Sequence, residues 1–160
     1  MNIFYVRGSF AERMQQAKPF IRYSIVAIPF LLIIFNTTHK LGTSYVKDWD
    51  EARQIVGAYE TVKNQEWIVN TYLGANDYWS VKPVLGHLFF GLSYEALGND
   101  LFAVRFPSAF FTILHTLVVI YLSYILTRSL LVGLMAGMFF ATLWPVIGVH
   151  AGRSADFDAL

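Results

Sequence analysis

The chain has 160 residues, of which 56% are hydrophobic and only 14% are charged, and its formal net charge is +1. A globular domain carries about 25% charged residues, so a chain this apolar could not hide its hydrophobic surface in water. The sequence has no cysteine, which excludes a disulfide-stabilised secreted scaffold, and the near-neutral charge indicates no nucleic-acid partner. We predict an all-α integral membrane protein.

Three long apolar blocks predict three transmembrane helices, because about 20 apolar residues in a helix cross a bilayer. The expected spans cover about residues 20–38, 101–126 and 130–149. Pro29 would kink the first span, and Pro107 suits the first turn of the second. In the third span, small residues four apart predict close approach of another helix. These residues are Gly133, Gly137 and Ala141.

The basic residues at the N-terminus predict the orientation of the spans. They are Arg7, Arg13, Lys18 and Arg22. Basic flanks stay in the cytoplasm, so residues 1–19 are predicted to be cytoplasmic and the outer loop, residues 39–100, to lie outside. The segment from His150 onward would then also lie outside. All eleven acidic residues except Glu12 fall on that outer side, so the candidate groups described next can share one cavity.

The outer loop is too long for a plain connection and is predicted to contain interfacial amphipathic helices. Asp48 and Glu51 have the spacing of a capping box. Apolar residues then recur at helical spacing and predict one apolar stripe on a polar helix. The stripe consists of Ala52, Ile55, Val56, Tyr59 and Val62, and opposite it lie Arg53, Gln54, Glu60, Thr61 and Lys63. A second helix is expected to begin at Pro83 and to run to Leu97, ending at Gly98, after an aromatic loop at 76–80.

The segment Trp49–Arg53, with sequence WDEAR, places two adjacent carboxylates at the start of the first loop helix. In one interpretation, Asp50 and Glu51 are ordinary first-turn acids that the helix dipole stabilises. In the other, Asp50 faces a cavity and acts as a general base that accepts a proton from an incoming hydroxyl or amine.

Lys82 is an isolated basic residue directly before Pro83. Its ammonium group could extend to lipid headgroups while its alkyl stem covers apolar surface. Alternatively, the ammonium group binds a phosphate or pyrophosphate. Because a residue before proline disfavours the helical conformation, we expect Lys82 to project from a rigid corner.

Three charged residues, Arg153, Asp156 and Asp158, follow the third apolar block. Such groups are costly inside lipid, so they belong at the interface or in a wet cavity. In one interpretation Arg153 pairs with Asp156 or Asp158 and anchors the helix end. In the other, the group is a second acidic site with an arginine that orients an anion. The four histidines do not show the spacing of metal ligands, so no metal site is predicted.

The order of these motifs along the chain is more specific than any one of them. The series is Trp49–Arg53, then Lys82–Leu85 (KPVL), Val104–Ala109 (VRFPSA) and Arg153–Leu160 (RSADFDAL). With the basic N-terminus and first span, this series resembles the N-terminal part of the GT-C glycosyltransferases. It is most similar to glycosyltransferase family 39 and to the aminoarabinose-transferase-like and protein-mannosyltransferase-like proteins. The resemblance implies that residues 20–160 form the N-terminal portion of a GT-C transmembrane domain.

The resemblance implies inverting transfer of a sugar from a polyprenyl-phosphate carrier to a protein, lipid or glycan, at the outer face of a bacterial inner membrane. Asp50 would activate the acceptor, and Glu51 and Arg53 would shape the pocket beside it. The implied partners are the lipid-linked donor, the bilayer and an acceptor that the sequence does not identify. No cofactor is implied with certainty, and participation of a divalent cation stays an open alternative.

The resemblance also implies roles for the later charged residues. Lys82 would contact the phosphate of the donor, and Arg153 would neutralise charge near the leaving phosphate. Asp158, or alternatively Asp156, would be the second catalytic acid.

Two departures from the family pattern bear on these expectations. Val84 stands where the family usually has a second proline, so the corner at Lys82 would be looser. Relatives have many more spans, and we therefore expect this chain to be part of a longer protein, or else a degenerate gene product, and to be inactive alone. The alternative is a non-catalytic three-span membrane protein that binds a lipid-linked ligand or scaffolds a complex. A transporter fragment would predict an inverted repeat, and the sequence shows no internal repeat.

Overall fold

The structure is a computed structural model that describes residues 19–46, 49–80, 82–148 and 152–160. The described part of the chain is predominantly helical, as predicted. Its helices are α1 Pro19–Thr38, α2 Trp49–Asn64, α3 Val84–Leu97, α4 Leu101–Thr127, α5 Leu130–Thr142 and α6 Trp144–Ile147. A hairpin of β1 Thr71–Tyr72 and β2 Ala75–Asn76 lies between α2 and α3, and a short 3₁₀ helix covers Phe157–Ala159.

Helix α4 matches the second expected span in its bounds. It begins after Asp100, whose side chain accepts a hydrogen bond from the Ala103 N–H, and ends before Arg128 in a left-handed conformation. Its 27 residues extend about 40 Å, more than the roughly 30 Å of a hydrocarbon core. Among the described residues α4 is the one helix long and apolar enough to cross a membrane. Shorter apolar helical segments are Ala27–Thr38, Val84–Leu97 and Leu130–Thr142.

Pro107 lies inside α4 and not in its first turn, which corrects the expected position. A proline there has no N–H to donate to the carbonyl four residues earlier, at Ala103. The Ser93 hydroxyl donates to that carbonyl oxygen at 2.6 Å. The side chain from α3 therefore replaces the missing backbone hydrogen bond and fastens α3 to α4.

The third apolar block forms two helices instead of one helix to Val149. Helix α5 ends at Thr142, and Leu143 is extended, with φ −62° and ψ 125°, before the short α6. Pro145 explains this break, because a continuous helix would need its N–H to bond to the Ala141 carbonyl. The Asn36 side chain of α1 donates to that carbonyl oxygen at 2.6 Å. Val149 itself lies outside the described residues.

The small residues of α5 let α4 approach closely, as predicted. A Cβ atom added at Gly133 would lie 2.8 Å from the Ile120 carbonyl oxygen, and one at Gly137 would lie 2.3 Å from Ile120 Cγ1. Both glycines and Ala141 are buried. These small residues of α5 therefore pack against α4, the preceding helix of the same chain.

Helix α2 occurs where it was predicted, but a different face is turned inward. Its buried residues are Glu51, Gln54, Gly57, Ala58 and Thr61. Gln54 and Thr61 were expected on the side opposite the apolar stripe, whereas Tyr59 of that stripe is 42% exposed. The inward face is set by a polar partner far away in the sequence, Arg105, described below. Asp48, the expected cap, lies outside the described residues.

Helix α3 has the predicted bounds, with Pro83 before it and Gly98 after it. The hairpin ahead of α3 was not predicted. Thr71 pairs with Asn76 and Tyr72 with Ala75. The turn residues Leu73 and Gly74 have φ of 54° and 77°, which is the left-handed geometry that two-residue hairpin turns require.

The core joins the loop helices to the segment after α6. Its buried residues are Ala58 of α2, Phe90 of α3, Val104 of α4 and Ala155. Four elements that are distant in sequence thus meet at one point, and the segment that carries Asp156 and Asp158 is packed against the helix that carries Asp50.

Candidate functional site

Glu51 and Arg105 form a buried ion pair where α2 crosses α4. Arg105 is 1% exposed and Glu51 is 2% exposed. Arg105 Nε donates to Glu51 Oε1 at 2.7 Å, and Nη2 donates to Oε2 at 3.1 Å. Such a bidentate ion pair has a fixed orientation, and removing one partner leaves an uncompensated buried charge.

The remaining donors of Arg105 hold the segment between α1 and α2. Nη1 donates to the carbonyl oxygens of Leu41 at 2.8 Å and Ser44 at 3.0 Å, and Nη2 donates to that of Tyr45 at 3.0 Å. Arg105 belongs to the VRFPSA motif, from which no role for it was predicted. The available signal was an arginine at the fifth position of a largely apolar helix, since a buried arginine needs partners.

Glu51 also reaches the segment after α6, because its Oε1 accepts a hydrogen bond from the Ala155 N–H at 3.1 Å. The residue after Asp50 is thereby joined to the residue before Asp156. The structure thus brings the WDEAR segment and the Arg-Asp-Asp segment to the same place. Asp50 itself is half-buried in the first turn of α2, where the helix dipole favours a carboxylate.

Lys82 lies beside the second acidic segment. Its Nζ is 3.9 Å from Asp156 Oδ1, and the Lys82 side chain is 37% exposed while that of Asp156 is 3% exposed. The ammonium group also lies 5.5 Å from the ring centroid of Phe157. Asp156 begins the 3₁₀ helix and accepts a 2.7 Å hydrogen bond from the Phe157 N–H. Asp158, in that 3₁₀ helix, is exposed.

Phe157 fixes the position of these acids by packing against α3. Its ring lies 4.9 Å from the His87 ring and 5.4 Å from the Phe90 ring, both edge-to-face. A Cβ atom added at Gly86 would lie only 2.0 Å from the Phe157 ring. Glycine at position 86 therefore makes the room in which Phe157 sits.

His87 is buried on the inner side of α3. Asn70 Nδ2 pairs with His87 Nε2, and among the described residues His87 Nδ1 has no hydrogen-bond partner. The pKa of His87 is lowered from 6.5 to about 4, mainly by burial, which outweighs the opposing effect of Asp77 and is assisted by the positive charges of Arg53 and Lys82. The ring is therefore neutral at pH 7.

Arg53 and Arg153 are engaged by groups other than the two acidic segments. Arg53 Nε donates to Asp77 Oδ2 at 2.9 Å, and its Nη2 pairs with Oδ1. Arg153 Nη1 donates to the Asn36 carbonyl oxygen at 3.1 Å, and its Nη2 donates to that of His39. Arg153 thus fastens the last segment to the C-terminal end of α1, where a cation is favoured.

The described residues contain no group of three or more His, Cys, Asp or Glu side chains that could hold a metal ion. The charged groups instead form pairs. One pair joins α2 to α4, a second joins α2 to Asp77, and a third joins Lys82 to Asp156 in the last segment.

Comparison with known proteins identifies relatives of the chain. It is 32% identical over 121 residues to the undecaprenyl phosphate-alpha-4-amino-4-deoxy-L-arabinose arabinosyl transferase of Pectobacterium carotovorum, covering 74% of this chain and 21% of the relative. It is 31% identical over 111 residues to the enzyme of that name from Aeromonas salmonicida, covering 69% of this chain and 20% of the relative. This chain is related to the aminoarabinose transferases. The resemblance expected from the motifs is confirmed.

A third aminoarabinose transferase, from Pseudomonas fluorescens, is 27% identical over 130 residues, which cover 80% of this chain. The chain spans about a fifth of the length of these aminoarabinose transferases. No family model matches the chain, and no solved structure matches it.

Proposed function

We propose that this chain forms part of the active site of a glycosyltransferase that moves a sugar from a polyprenyl-phosphate carrier to an acceptor at the outer membrane face. The names of the related aminoarabinose transferases join undecaprenyl phosphate to the arabinose sugar, which supports a lipid-linked donor. In this proposal the N-terminus is cytoplasmic, the outer loop is periplasmic or extracellular, and the protein resides in a bacterial inner membrane.

One hydrogen bond carries the proposal, that from the Ala155 N–H to Glu51 Oε1 at 3.1 Å. Group transfer needs an activated acceptor and a stabilised leaving group in one site. This bond brings the segment of Asp50 against the segment of Asp156, and Lys82 lies 3.9 Å from Asp156. A base and a cation are therefore available on adjoining segments.

In the proposed reaction, Asp50 accepts a proton from the acceptor hydroxyl or amine as that atom attacks the anomeric carbon of the donor sugar. The bond from the anomeric carbon to the phosphate oxygen breaks, and the lipid phosphate leaves with the electron pair. Attack from the side opposite the phosphate inverts the anomeric centre. The ammonium group of Lys82 stabilises the charge that develops on the leaving phosphate.

The other charged residues have supporting roles in this proposal. Glu51 positions Asp50 through its pair with Arg105. Asp156 holds Lys82, and the exposed Asp158 is the second acid, open to substrate. Arg153 acts as an anchor between the last segment and α1. Arg53 shapes the pocket through its pair with Asp77.

The test is sugar transfer by the protein expressed from its whole gene, reconstituted in lipid and offered a panel of polyprenyl-phosphate sugars. We expect Asp50→Asn to lower kcat by about 10²- to 10⁴-fold, the size of a general-base contribution. Glu95→Gln, at an exposed carboxylate of α3, is the matched control and keeps full turnover. Control-like turnover of Asp50→Asn would remove Asp50 from the mechanism. Donor binding by the wild type without any transfer would favour the non-catalytic binding protein.

A further inference from the structure

A cavity of about 570 Å³ lies between the start of α2 and the hairpin with the loop that follows it. Its lining residues are Trp49, Arg53, Tyr72, Asn76, Asp77, Tyr78 and Trp79. The volume falls in the range of small-molecule sites, and the lining combines aromatic rings with a few convergent polar groups.

Three of the aromatic rings around the cavity are largely exposed. Trp49 is 71% exposed, Trp79 is 85% exposed and Tyr78 is 90% exposed. Large aromatic side chains bury much area when a ligand covers them, so a cluster of exposed rings around a cavity indicates a binding surface.

The floor of the cavity is rigid and electrically balanced. Asp77 pairs with Arg53, whose guanidinium group lies 4.9 Å from the Tyr72 ring centroid. Asp77 Oδ1 also accepts a hydrogen bond from the Trp79 N–H at 3.1 Å, which fixes the loop that carries the exposed rings. The side chains of Arg53 and Asp77 are 17% and 6% exposed. Because the two charges offset each other, the floor offers hydrogen-bonding groups without a net charge.

We propose that this cavity binds a neutral carbohydrate ring of the acceptor. A sugar ring has C–H faces that stack on flat aromatic rings and hydroxyl edges that bond to carboxylate, amide and guanidinium groups. Both kinds of partner line this cavity. That the bound ring belongs to the acceptor rests on the proposed function. Trp49 directly precedes Asp50, so a glycan stacked there would hold a hydroxyl group near the proposed base.

The balanced floor also argues against the bilayer as the occupant. Interfacial tryptophan and tyrosine need only an apolar boundary and water. They do not require a buried ion pair that fixes the loop beneath them. A phosphorylated ligand is disfavoured for a related reason, since Asp77 already neutralises Arg53.

The test uses the purified protein from its whole gene on an array of neutral and phosphorylated glycans, followed by saturation-transfer NMR with the neutral glycans retained. We expect the wild-type protein to bind neutral glycans on the array. Trp79→Ala should lower the affinity at least about tenfold, as for a lost stacking contact. Trp79→Phe should bind almost normally. Tyr121→Ala, at a 62% exposed aromatic of α4, is the matched control and keeps binding.

Three results would overturn the inference: no neutral glycan retained, preference for phosphorylated glycans, or equal binding by Trp79→Ala and wild type. Quenching of Trp79 fluorescence by brominated lipid, unaffected by glycan, would assign the cavity to the bilayer and also overturn it. The outcome of the transfer assay with Asp50→Asn is independent of these binding results. Glycan binding that depends on Trp79 in a protein without transferase activity would keep the carbohydrate site and remove the proposed reaction.

Discussion

Arg105 lies 54 positions after Glu51 in the sequence, and its Nε donates a 2.7 Å hydrogen bond to Glu51 Oε1 in the interior of the protein. A buried pair of this kind adds little net stability over apolar residues of similar size, but it fixes geometry. Here it fixes the rotation of α2 against α4. Because Asp50 precedes Glu51 directly, the pair also determines where the proposed base points.

Glu51→Gln is expected to lower the free energy of unfolding by about 3 to 5 kcal/mol, because it leaves the guanidinium group of Arg105 buried without its counter-charge. Thermal unfolding in detergent measures the change. Glu95→Gln removes an exposed carboxylate and serves as the control.

A second variant separates the charge effect from a packing effect at this pair. Replacing both partners, as Glu51→Met with Arg105→Met, removes the unpaired charge and should recover part of the loss from Glu51→Gln. A double variant less stable than Glu51→Gln would show that the hydrogen bonds from Arg105 to the carbonyls of Leu41, Ser44 and Tyr45, and not charge balance, dominate at this crossing.

Ser93→Ala is expected to cost about 1 to 3 kcal/mol, since it leaves the buried Ala103 carbonyl without a donor. In a Pro107→Ala background the new N–H at position 107 can bond to that carbonyl, so the cost should become smaller. Unfolding measured for the four proteins of this double-mutant cycle gives the coupling. Equal costs in the two backgrounds would refute the replacement of the backbone bond by Ser93.

The fold could be predicted where local patterns decide it. Helix α4 matches its apolar run because Asp100 caps its start, and α3 matches because Pro83 and Gly98 delimit it. The break at Leu143 was missed although Pro145 is visible in the sequence, because the apolar run continues on both sides of it. The break depends on Pro145 and on a hydrogen bond to the Ala141 carbonyl from Asn36, 105 residues away.

The site was predictable to a similar extent. Counting the spans placed Lys82 and the last segment on the same side of the membrane, and Lys82 Nζ lies 3.9 Å from Asp156. The inward face of α2 was not predictable from periodicity, because Glu51 is stabilised inside the protein by groups far away in the sequence, Arg105 of α4 and the Ala155 N–H. The role of Arg105 was missed for the same reason, since Glu51 is 54 residues away and the backbone carbonyls that Arg105 also binds carry no sequence signature.

Lowering the pH is expected to destabilise the protein through His87. The folded-state pKa of His87 is about 4, against an ordinary value of 6.5, so between these values the unfolded chain binds the proton that the folded protein excludes. Stability therefore falls as the pH drops from about 6.5 to 4, by about 3 kcal/mol in total, and this contribution is constant above that window.

Unfolding as a function of pH, compared between the wild type and His87→Gln, measures this contribution. The variant should lose most of the slope between pH 6.5 and 4. His39→Gln, at an exposed histidine, should keep it. A wild-type slope that His87→Gln leaves intact would assign the acid sensitivity to other groups.

Lys82→Ala is expected to weaken the productive use of the lipid-linked donor, because the ammonium group is the proposed contact to the donor phosphate. Loss of a charged hydrogen bond corresponds to a fall of about 10- to 100-fold in kcat/KM for the donor, measured by transfer in reconstituted lipid. Lys63→Ala, at an exposed lysine of α2, is the control and should leave kcat/KM unchanged.

Lys82→Arg keeps the positive charge and should recover part of the loss. If Lys82→Ala matched Lys63→Ala, Lys82 would be a headgroup anchor, and the charge on the leaving phosphate would need another partner.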